Sequence, residues 1–563
     1  MARRGCWGTW PTSWQGEAEC ARAAHDRVGR SRRVCHRRTM RRWLFADQLG
    51  PHFLDDPDQP VLLVESTRVL ARRRFHRQKA QLLLSALRHR ARELGDRCDH
   101  RIGATYGEAV ADYGEPLEVP DPTSWAARRF VTDLPGVTVV PTAYTATSRD
   151  DFSTWAHGGT DQGHSDGHGD GRWDGHGDGR WDGHGDGARG GTGGRRRLLM
   201  EDFYRWQRRR FGVLMDGDSP AGGRWNFDHD NRHPPPRRAH LDLPEPWSPS
   251  ETEVDAEVRE HLDRLERDGH AQFRGVDGPR RFAATRAEAG QALDWFVRHR
   301  LADFGPYEDA MLAGDWAMAH STLSPALNLG LLHPLEVVAA AEQAYRRGEA
   351  PIASVEGFVR QVLGWREYVW GIYWWAGEDY VERNALGART PLPRWFADLD
   401  ADAVGAACLS DVLAGVRERG WVHHIPRLMV LGNWALQRGY DPRALTDFFH
   451  ESFVDGYAWV MAPNVVGMSQ YADGGLMATK PYAAGGAYIH RMSDYCGGCR
   501  YHPSHRLGED ACPFTAGYWA FLDRNAGALA ANPRLRRPLA GLARLADRAA
   551  VTAAEHRRGA GPP

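Results

Sequence analysis

Three cysteines near the end of the chain have the spacing of metal ligands. Cys496 and Cys499 form a C-x-x-C pair, and Cys512 follows after a loop rich in glycine, proline and charged residues. Such a pair brings two thiolates onto one metal, and a third thiolate completes one face of the site. This stretch lacks a fourth thiolate. Cys408, far upstream in an apolar run, is either that ligand or a core residue.

Two kinds of metal centre fit these ligands. Zinc accepts four thiolates, and so does an iron–sulfur cluster, so the cysteines alone leave both possibilities open. If His502 or His505 supplied the fourth ligand, three cysteines and one histidine would favour zinc.

A group of hydroxyl side chains lies where a loop is predicted to enter a helix. Ser321, Thr322 and Ser324 belong to the run HSTLSPALNLGLLHP, which begins at His320. Hydroxyls and free backbone amides at a helix N-terminus hold phosphate groups well. The same residues are also typical of a plain helix cap, which is the alternative interpretation.

An apolar helix is predicted over residues 355–375 and carries two charged side chains. Arg360 and Glu367 lie there at helical spacing, so their burial requires partners, either each other or a bound anion. The tryptophans of this helix indicate a core more often than an electron path. They are Trp365, Trp370, Trp374 and Trp375.

Two adjacent histidines, His423 and His424, precede a predicted helix that carries Arg427. Histidine titrates near neutral pH, so the pair is a candidate proton donor, with a purely structural role as the alternative.

Residues 455–475 mix aromatics, amides and glycines, and they predict a polar loop that lines a planar ligand. Tyr482 then leads into the cysteines.

The composition is that of a globular protein with more than one domain. The chain has 563 residues, of which 42% are hydrophobic and 26% charged, and this length exceeds one ordinary core. Its formal net charge is −1, so binding to nucleic acid would need a local basic patch. Eight cysteines without a paired pattern favour a reducing cytoplasm. No long apolar run is present, so neither a membrane span nor a secretory signal is predicted.

The fold class expected is α/β followed by all-α. Short apolar strands alternate with helical runs over residues 40–155, which indicates a doubly wound domain with a mostly parallel sheet. Ligands of such sheets bind beyond the carboxyl ends of the strands, where Asp47, Gln48 and Glu65 lie. Residues 40–155 contain no G-x-G-x-x-G fingerprint, so an ordinary dinucleotide site is not expected in this domain.

The rest of the chain divides by composition. Residues 1–39 are arginine-rich and indicate a disordered tail or a misassigned start, and residues 156–196 repeat DGHGDGRW and predict a disordered insertion. In that insertion His168, His176 and His184 are weak candidate metal ligands, against a tolerated loop expansion. A linker with a helix spans 197–250, a large helical domain spans 251–525, and a helical tail spans 526–563. Helices are predicted at 71–94, 198–212, 337–347, 355–375, 409–417, 426–438 and 442–454.

Together these motifs resemble the photolyase and cryptochrome superfamily, and within it the bacterial iron–sulfur branch that includes (6-4) photolyases. The likeness covers roughly residues 40–522 apart from the insertion. It rests on DQL at Asp47, MEDFYRWQRRRFG at Met200, FGPYEDAML at Phe304, HSTLSPALNLGLL at His320, HHIPRLM at His423, PNVVGMSQYADGG at Pro463 and the cysteines.

The resemblance implies an antenna domain followed by a domain that binds FAD. Close relatives carry 6,7-dimethyl-8-ribityllumazine as the antenna, and Glu65 and His76 would contact it. Ser321, Leu323 and Ser324 would meet the FAD phosphates. The remaining implied contacts are Arg360 and Arg366 around the FAD cavity, Asp455 and Asn464 at its ribityl chain and isoalloxazine, and Cys408, Cys496, Cys499 and Cys512 on a four-iron four-sulfur cluster.

The implied activity is light-driven repair of ultraviolet lesions in DNA, with (6-4) pyrimidine lesions as the expected substrate. A flipped lesion would receive one electron from excited reduced FAD. His424 would donate a proton, with His423 as its neighbour and Tyr482 near the lesion. The protein is expected to be a monomer that binds damaged DNA, located in the cytoplasm and associated with the nucleoid when bound to DNA.

Two other functions share part of this pattern. A cryptochrome-like photoreceptor would have the same fold and FAD without repair, although a sensor has no need of a proton donor at a lesion. An iron–sulfur module that binds nucleic acid, as in primase large subunits, would lack flavin, and the motifs at His320 and Pro463 argue against it.

Two adjacent positions depart from the family pattern. Phe448 and Phe449 stand where relatives use a tryptophan and a tyrosine to carry electrons to the flavin. Phenylalanine is far harder to oxidise, so photoreduction along that route is in doubt. Trp395, Trp434 or Trp459 are the candidate substitutes.

Overall fold

The computed structural model describes residues 40–158, 198–237 and 240–563. The predicted tail 1–39 lies outside the described residues. So do residues 159–196 of the predicted insertion, with the candidate ligands His168, His176 and His184.

A five-stranded parallel sheet organises the first domain. Its strands are β1 (Arg41–Leu44), β2 (Val61–Ser66), β3 (Cys98–Gly103), β4 (Leu117–Pro120) and β5 (Val137–Val140). They lie in the order β3–β2–β1–β4–β5, and every neighbouring pair is parallel. The direction of winding reverses between β1 and β4, which opens a crevice at the carboxyl ends of these strands. The predicted doubly wound α/β domain is therefore confirmed.

Alternate side chains of the strands face opposite helical layers. Leu44 and Leu63 pack into one apolar cluster, and Trp43 and Leu62 pack into another on the other face of the sheet. Strand β4 is absent from the sequence-based expectation because it has only four residues and ends at Pro120, and proline is uncommon inside strands.

Helices cover the sheet and build the second domain. Those of the first domain and the connection are α1 (Thr67–Arg72), α2 (Arg77–Leu94), α3 (Tyr106–Val110), α4 (Trp125–Thr132), α5 (Arg149–Ala156) and α6 (Met200–Phe211). Short antiparallel strands, β6 (Met215–Asp216) and β7 (Ser219–Pro220), follow. No helix within the described residues is long and apolar enough to cross a membrane.

The second domain is helical, as predicted. Its α-helices are α7 (Glu253–Arg267), α8 (Arg286–His299), α9 (Leu301–Tyr307), α10 (Ser324–Asn328), α11 (Pro334–Arg346), α12 (Ile352–Val359), α13 (Glu367–Trp375), α14 (Arg394–Ala397), α15 (Ala407–Arg419), α16 (Asn433–Arg438), α17 (Pro442–Ser452), α18 (Ala458–Ala462), α19 (Gly486–Met492), α20 (Pro513–Leu529), α21 (Arg536–Ala543) and α22 (Arg548–Arg558). Short 3₁₀ turns lie at Pro51–Phe53, Gly95–Arg97, Ala221–Gly223, Asp228–Asp230, Glu378–Glu382, Ala401–Ala403, Tyr495–Gly497 and Pro533–Leu535.

Three segments of the second domain are π-helical, namely π1 (Arg360–Arg366), π2 (Pro426–Gly432) and π3 (Pro463–Ser469). Each continues an α-helix or leads into one, so the predicted helices over 355–375 and 426–438 are present. The first contains the π-helical turn π1 in its middle, and the second begins with π2. Turns of this kind are rare and occur mainly at functional sites. Each of the three carries a residue that the sequence singled out: Arg360 and Arg366, Arg427, or Asn464.

The prediction of a polar loop over residues 455–475 is wrong in its middle part. Helix α18 and segment π3 occupy Ala458 to Ser469. Most side chains of this element are buried, among them Met461, Val465 and Ser469. The polar residues and glycines that suggest a loop lie mainly on either side of it, at residues 455–457 and 470–475.

The predicted helix over residues 71–94 is divided into α1 and α2. The break ends at His76, whose ring Nδ1 accepts a hydrogen bond from Gln78 N at 3.1 Å. A side-chain acceptor at this position satisfies a free amide at the start of α2 and so fixes where that helix begins.

The two domains pack through a shared apolar core. Tyr144, from the segment after the sheet, contacts the rings of Trp370 on α13 and Trp459 on α18, at 5.4 and 5.7 Å between centroids. Phe152 on α5 lies directly over Gly371, so close that a Cβ at Gly371 would overlap the phenyl ring. The position of α13 against the first domain therefore depends on a residue without a side chain.

We expect Gly371→Ala to destabilise the protein by about 1–3 kcal/mol, because overpacking at a rigid aromatic ring forces the helices apart. Gly527→Ala is the matched control, since a Cβ at that exposed helical position would meet nothing within 4 Å. The control should be neutral or stabilise by up to about 1 kcal/mol. Thermal unfolding of both variants measures the difference, and equal melting temperatures would contradict the packing described.

Candidate active site

Three histidines, His320, His423 and His424, meet in the second domain. The rings of His320 and His423 stack with centroids 4.3 Å apart, and the His424 ring lies 5.3 Å from His320 at 78°. His320 and His423 are buried, whereas the His424 side chain is 44% exposed. His424 is therefore the member of the cluster that an entering substrate reaches first.

Burial keeps two of these histidines neutral. Desolvation lowers the pKa of His320 well below its ordinary value, and the electrostatic effects of the neighbouring His424 and Arg300 act in the same direction. Burial likewise lowers the pKa of His423, with His320 as the next cause. Within the described residues, Nε2 of His320 and Nδ1 of His423 have no hydrogen-bond partner. The pair is thus an uncharged, buried support for His424.

Asp309 lies between His424 and Tyr482, two residues that the sequence assigned to the lesion. Its Oδ1 is 3.6 Å from Nε2 of His424, and the residue is 4% exposed. Burial raises the pKa of Tyr482 to about 12, with Arg232 opposing and Asp309 adding to the shift. The Tyr482 hydroxyl therefore stays protonated near neutral pH. Sequence reasoning missed Asp309, because nothing in the FGPYEDAML stretch indicates a contact with a histidine more than a hundred residues away.

A buried ion pair connects the histidines to the predicted flavin residues. Arg427 donates to both carboxylate oxygens of Asp455, at 2.8 and 3.0 Å, and its backbone N–H donates to His423 O at 3.4 Å. The Ser324 hydroxyl donates to the same carboxylate at 2.6 Å, and Asn328 Nδ2 donates to Asp455 O at 3.0 Å. Hydrogen bonds thus connect Ser324 and Asp455 with the segment that carries the histidine pair.

The segment from Ser321 to Ser324 is not a plain helix cap. Leu323 occupies the N-cap position of α10, and no side chain caps that helix. Ser321 Oγ accepts from Leu323 N at 3.4 Å, and Thr322 has a positive φ of 54°. A non-glycine residue in this conformation costs on the order of 1 kcal/mol or more and is frequent at ligand sites.

Buried donors next to this network fit a bound polar, planar molecule. The Tyr457 hydroxyl and the Trp459 indole N–H are buried and have no partner among the described residues. Buried polar groups are nearly always hydrogen-bonded, so a ligand that accepts these donors is the simplest explanation. The FAD implied by the resemblance fits this position, since both donors are on the segment that joins Asp455 to Asn464.

The other predicted flavin residues lie in two different places. Arg366 is over the rings of Tyr144 and Trp459, at 5.0 and 5.1 Å, and Asn464 Nδ2 donates to Val460 O at 2.8 Å. Both residues are therefore close to the donors just described. Arg366 also pairs with the buried carboxylate of Glu367 at 2.9 Å. Glu367 thus finds its partner within the protein.

Arg360 belongs to a separate buried charge cluster. It pairs with Asp228, and its Nε is 3.4 Å from Glu356. Arg232 joins the same Asp228 at 3.0 Å and Asp309 at 3.6 Å. Arg360 is thus linked to the histidine site through acidic residues rather than placed beside Asn464.

A cavity of about 1040 Å³ opens at the carboxyl ends of the strands, between the two domains. Its lining includes Ser66 and Thr105 after β2 and β3, and Trp125 at the start of α4. Tyr373 and Ala462 line it from the second domain. The cavity lies where the fold is expected to hold a ligand, and its size suits a chromophore.

Glu65 and His76, the predicted antenna contacts, do not line this cavity. Burial favours a higher pKa for Glu65, but hydrogen bonds from Arg88 and His100 outweigh it and lower the pKa to about 2. His76 is fully buried, and its Nε2 lies 3.0 Å from Arg417 O. Glu65 thus finds its partners within the first domain, while His76 joins the two domains through its backbone N–H, which donates to Glu451 O at 2.8 Å.

All four candidate cysteine ligands surround one small enclosed space. Cys408 and Cys512 are buried, Cys496 and Cys499 are half-buried, and all are free thiols. Burial raises the pKa of Cys408 well above its usual value, with the other three thiols adding to the shift. A Cβ at Gly486 would be 2.7 Å from Cys512 Sγ, so glycine is needed for this approach. Four converging thiols fit a metal centre, which would deprotonate them.

The alternative with a histidine ligand does not agree with the structure. His502 and His505 are exposed and stack on each other, with ring centroids 4.2 Å apart. His505 Nδ1 pairs with Asp510 at 2.8 Å, and neither ring lines the space between the cysteines. Cys408, on α15, lines that space together with the other three cysteines.

The two phenylalanines that interrupt the family's electron route are buried and lie side by side. Phe448 and Phe449 have ring centroids 5.8 Å apart, and Phe448 also contacts Phe396 at 5.0 Å. Trp395 and Trp434 form a pair at 6.1 Å near the cysteines. Trp459 lies elsewhere, beside Arg366.

Known proteins are similar to this chain, most strongly in sequence. Residues 186–274 match the family described as deoxyribodipyrimidine photo-lyase-related protein. A (6-4) photolyase of Agrobacterium fabrum is 39% identical over 526 residues, which is 90% of this chain and 95% of that protein. A class III photolyase of Agrobacterium tumefaciens has a TM-score of 0.46 at 15% identity, covering 83% of this chain and 88% of that one. A Synechocystis cryptochrome has a TM-score of 0.48 at 13% identity, covering 78% and 82%.

We expect Cys408→Ser to deprive the purified protein of iron and to lower its solubility, because ligand binding at a structural metal site contributes directly to folding. Iron and flavin content of the soluble fraction are the measurements. Cys98→Ser is the control, since Cys98 is a half-buried free thiol at the start of β3. A well-folded Cys408→Ser protein with full flavin and no iron would contradict the structural role.

Proposed function

The chain belongs to the photolyase and cryptochrome superfamily, in its bacterial iron–sulfur branch, and we propose that it repairs (6-4) pyrimidine lesions in DNA with His424 as the proton donor. As a photolyase it is an enzyme of light-dependent DNA repair. The observation that supports (6-4) repair with this proton donor is the position of His424. Its ring is exposed, while Arg427 ties the same histidine cluster to the candidate flavin residue Asp455.

The chemistry of a (6-4) lesion requires an acid at this point. An oxygen must return from one pyrimidine ring to the other, and protonation of the lesion by a positioned side chain assists that transfer. His424 can serve because its ring is open on one side and is held on the other by Asp309, 3.6 Å from Nε2. His320 and His423 are buried and neutral, so they support and orient His424.

The flavin would be held by the residues around Asp455. Ser321, Leu323 and Ser324 would contact its phosphates, and Arg366 and Asn464 would lie along its ring system. Reduced FAD, once excited by light, supplies the single electron that starts repair. Support for this placement comes from the unpartnered donors of Tyr457 and Trp459 and from the unusual backbone at Thr322.

Damaged DNA would reach this site by base flipping. A lesion already distorts its duplex, so unstacking it costs less than unstacking an intact base. The protonated Tyr482 hydroxyl and the exposed His424 would then meet the flipped pair. Binding to the phosphate backbone would rely on arginine and weaken steeply as salt is raised.

The antenna and the cluster would have supporting roles. A lumazine antenna fits the cavity at the strand ends, about 1040 Å³ in volume.

A four-iron four-sulfur cluster would join Cys408 on α15 to the loop that carries Cys496, Cys499 and Cys512. Because α15 and this loop are far apart in sequence, the cluster would act as a cross-link of the second domain.

Illumination of the protein with a reductant and defined lesions tests the proposal. Duplexes that carry either a (6-4) product or a cyclobutane dimer are exposed to blue light, and the loss of each lesion is measured by chromatography. We expect loss of the (6-4) product. Loss of the dimer alone would overturn the role of His424, and light-driven flavin reduction without loss of either lesion would favour a photoreceptor.

We expect His424→Ala to lower the rate of (6-4) repair by about 10²–10⁴, the usual contribution of a positioned general acid. His270→Ala is the control, because His270 is exposed and lies outside the histidine cluster. Flavin content and the absorption spectrum should be unchanged in both variants. Repair at the normal rate by His424→Ala would assign the proton to another group.

We expect Val69→Trp to reduce the antenna content, because Val69 is 38% exposed, lines the cavity and tolerates a larger side chain without refolding. Ile102→Trp is the control, since Ile102 is 57% exposed and lies outside the cavity. The released chromophore is quantified by fluorescence against flavin. Equal chromophore content in both variants would place the antenna elsewhere.

A further inference from the structure

We propose that an exposed arginine face on the last helices of the chain binds the phosphate backbone of the damaged DNA beside the lesion. This arginine face consists of Arg536 and Arg537, at the start of α21, and Arg544, which directly follows that helix. It lies outside residues 40–522, on which the family resemblance rests, so the resemblance gives it no role. The assignment rests on the proposed function, because the histidine site defines where the flipped lesion lies.

The charge of this segment differs from that of the whole chain. Residues 533–544 contain four arginines and no acidic residue, whereas the chain has a formal net charge of −1. A protein without an overall positive charge needs a local basic patch to bind nucleic acid, because the phosphate backbone is attracted by nearby cations. The segment has the composition of such a patch.

The arginine face has no counter-charge within the protein. Its three side chains are exposed, and no carboxylate of the described residues forms an ion pair with them. Other arginines of the same tail are neutralised, since Arg548 pairs with Asp523 and Arg558 pairs with Glu555. The tail therefore leaves only part of its positive charge available to an external anion.

Stability of the helix does not explain where these charges lie. The first turn of an α-helix is the positive end of its dipole, so a cation in that turn is unfavourable. Arg536 and Arg537 occupy the first turn of α21, and no acidic residue in that turn offsets them. An anionic partner at the surface would compensate for both charges.

The opposite side of α21 is fixed to the rest of the domain. Leu542 is buried in an apolar cluster with Tyr471, and Leu539 packs against the same cluster. With 3.6 residues per turn, both leucines lie on the side of the helix opposite to Arg537, whereas Arg544 lies on the same side as Arg537, about 10 Å further along the axis. The arginine face is therefore held rigidly outward and is long enough to meet more than one phosphate of a DNA strand.

Hydrogen bonds attach the start of this segment to the loop that carries Tyr482, the residue expected near the lesion. Asn532 Nδ2 donates to Thr479 O at 3.0 Å. The Oδ1 of Asn532 accepts a hydrogen bond from Arg534 N at 3.0 Å. Burial raises the pKa of Tyr482 to about 12, and the charge of Arg534 opposes this shift, so the two side chains are within electrostatic reach. The segment thus begins beside the lesion pocket.

This position suits the strand that flanks a flipped lesion. Flipping moves the damaged bases into the pocket and leaves the neighbouring nucleotides on the protein surface. Contacts to their phosphates position a duplex without reading its sequence. The arginine face would therefore hold the duplex where the lesion reaches His424, and it would contribute to affinity and not to the chemical step.

The salt dependence of DNA binding by the flavin-containing protein tests the assignment. Fluorescence anisotropy gives the dissociation constant of a labelled duplex, with or without a (6-4) product, at several potassium chloride concentrations. The test variant combines Arg536→Gln, Arg537→Gln and Arg544→Gln. Since each phosphate contact adds about 0.9 to the slope of log K against log salt, we expect this slope to fall by about 2–3 and the affinity for both duplexes to fall about tenfold or more.

The matched control removes the same charge elsewhere. It combines Arg92→Gln, Arg264→Gln and Arg267→Gln, which are exposed on α2 and α7, two helices that share a different apolar cluster. We expect the control to keep the slope and the affinity of the unmodified protein. An unchanged slope in the test variant, an equal loss in the control, or tighter binding of an RNA duplex through the same arginines would overturn the assignment.

Cross-linking locates the arginine face relative to the lesion. Ala540 is exposed on the same side of α21 as Arg537, so p-benzoylphenylalanine at this position can reach a bound strand. Primer extension then maps the cross-linked nucleotides. We expect cross-links to the nucleotides that flank the (6-4) product, and cross-links at the duplex ends alone would contradict a position beside the lesion.

Repair kinetics separate this assignment from the proposed function. A contact that holds substrate and transition state equally raises KM without changing kcat, so the test variant should raise the KM for the lesion-bearing duplex about tenfold at unchanged kcat and flavin content. A lower kcat at unchanged KM would overturn the role in DNA binding. Failure of the unmodified protein to repair the (6-4) product would count against the proposed function, while the anisotropy and the cross-links would still decide whether the arginine face binds DNA.

Discussion

The buried carboxylate of Asp455 is the interaction on which the rest of the site depends. It takes two hydrogen bonds from Arg427 and one from Ser324, and its backbone oxygen accepts from Asn328. Ser324 belongs to α10 and Arg427 belongs to π2, so both elements are fixed to the Asp455 carboxylate. Removing one partner of a buried ion pair costs about 3–5 kcal/mol. The first domain joins this point through Lys79 on α2, which donates to the backbone oxygen of Gly456. Burial lowers the pKa of Lys79 to about 7, with Asp455 opposing the shift.

How much of the site is predictable depends on whether its ligands are neighbours in sequence. Cys496, Cys499 and Cys512 are recognisable from their spacing, because a single loop brings them together. Cys408 stays ambiguous in the sequence, either the fourth ligand or a core residue, because no local pattern connects it with the distant loop, and only the family resemblance favours the ligand. The same holds for Asp309, whose contact with His424 is created by the packing of distant segments.

The fold was predictable where periodicity was strong and not where a segment changes its hydrogen-bond pattern. The doubly wound sheet and the helical second domain follow from alternating apolar runs. The π-helical turns have no such signal, although each contains a glycine: Gly364, Gly432 or Gly467. At Gly467 a Cβ would lie 2.9 Å from Asp473 and Met477, so a larger residue would push the neighbouring loop away. Close approach at these turns, rather than helix propensity, explains why glycine is placed there.

The boundary between the domains encloses the cavity at the carboxyl ends of the strands. The cavity that suits an antenna is walled by α4 on one side and by the end of α13 on the other, and Trp125 and Tyr373 belong to both the wall and the domain contact. Phe152 lies on α5, so its packing on Gly371 sets the distance between α5 and α13. Because Tyr373 follows two residues later on α13, the same contact also fixes the part of the cavity wall that the second domain supplies.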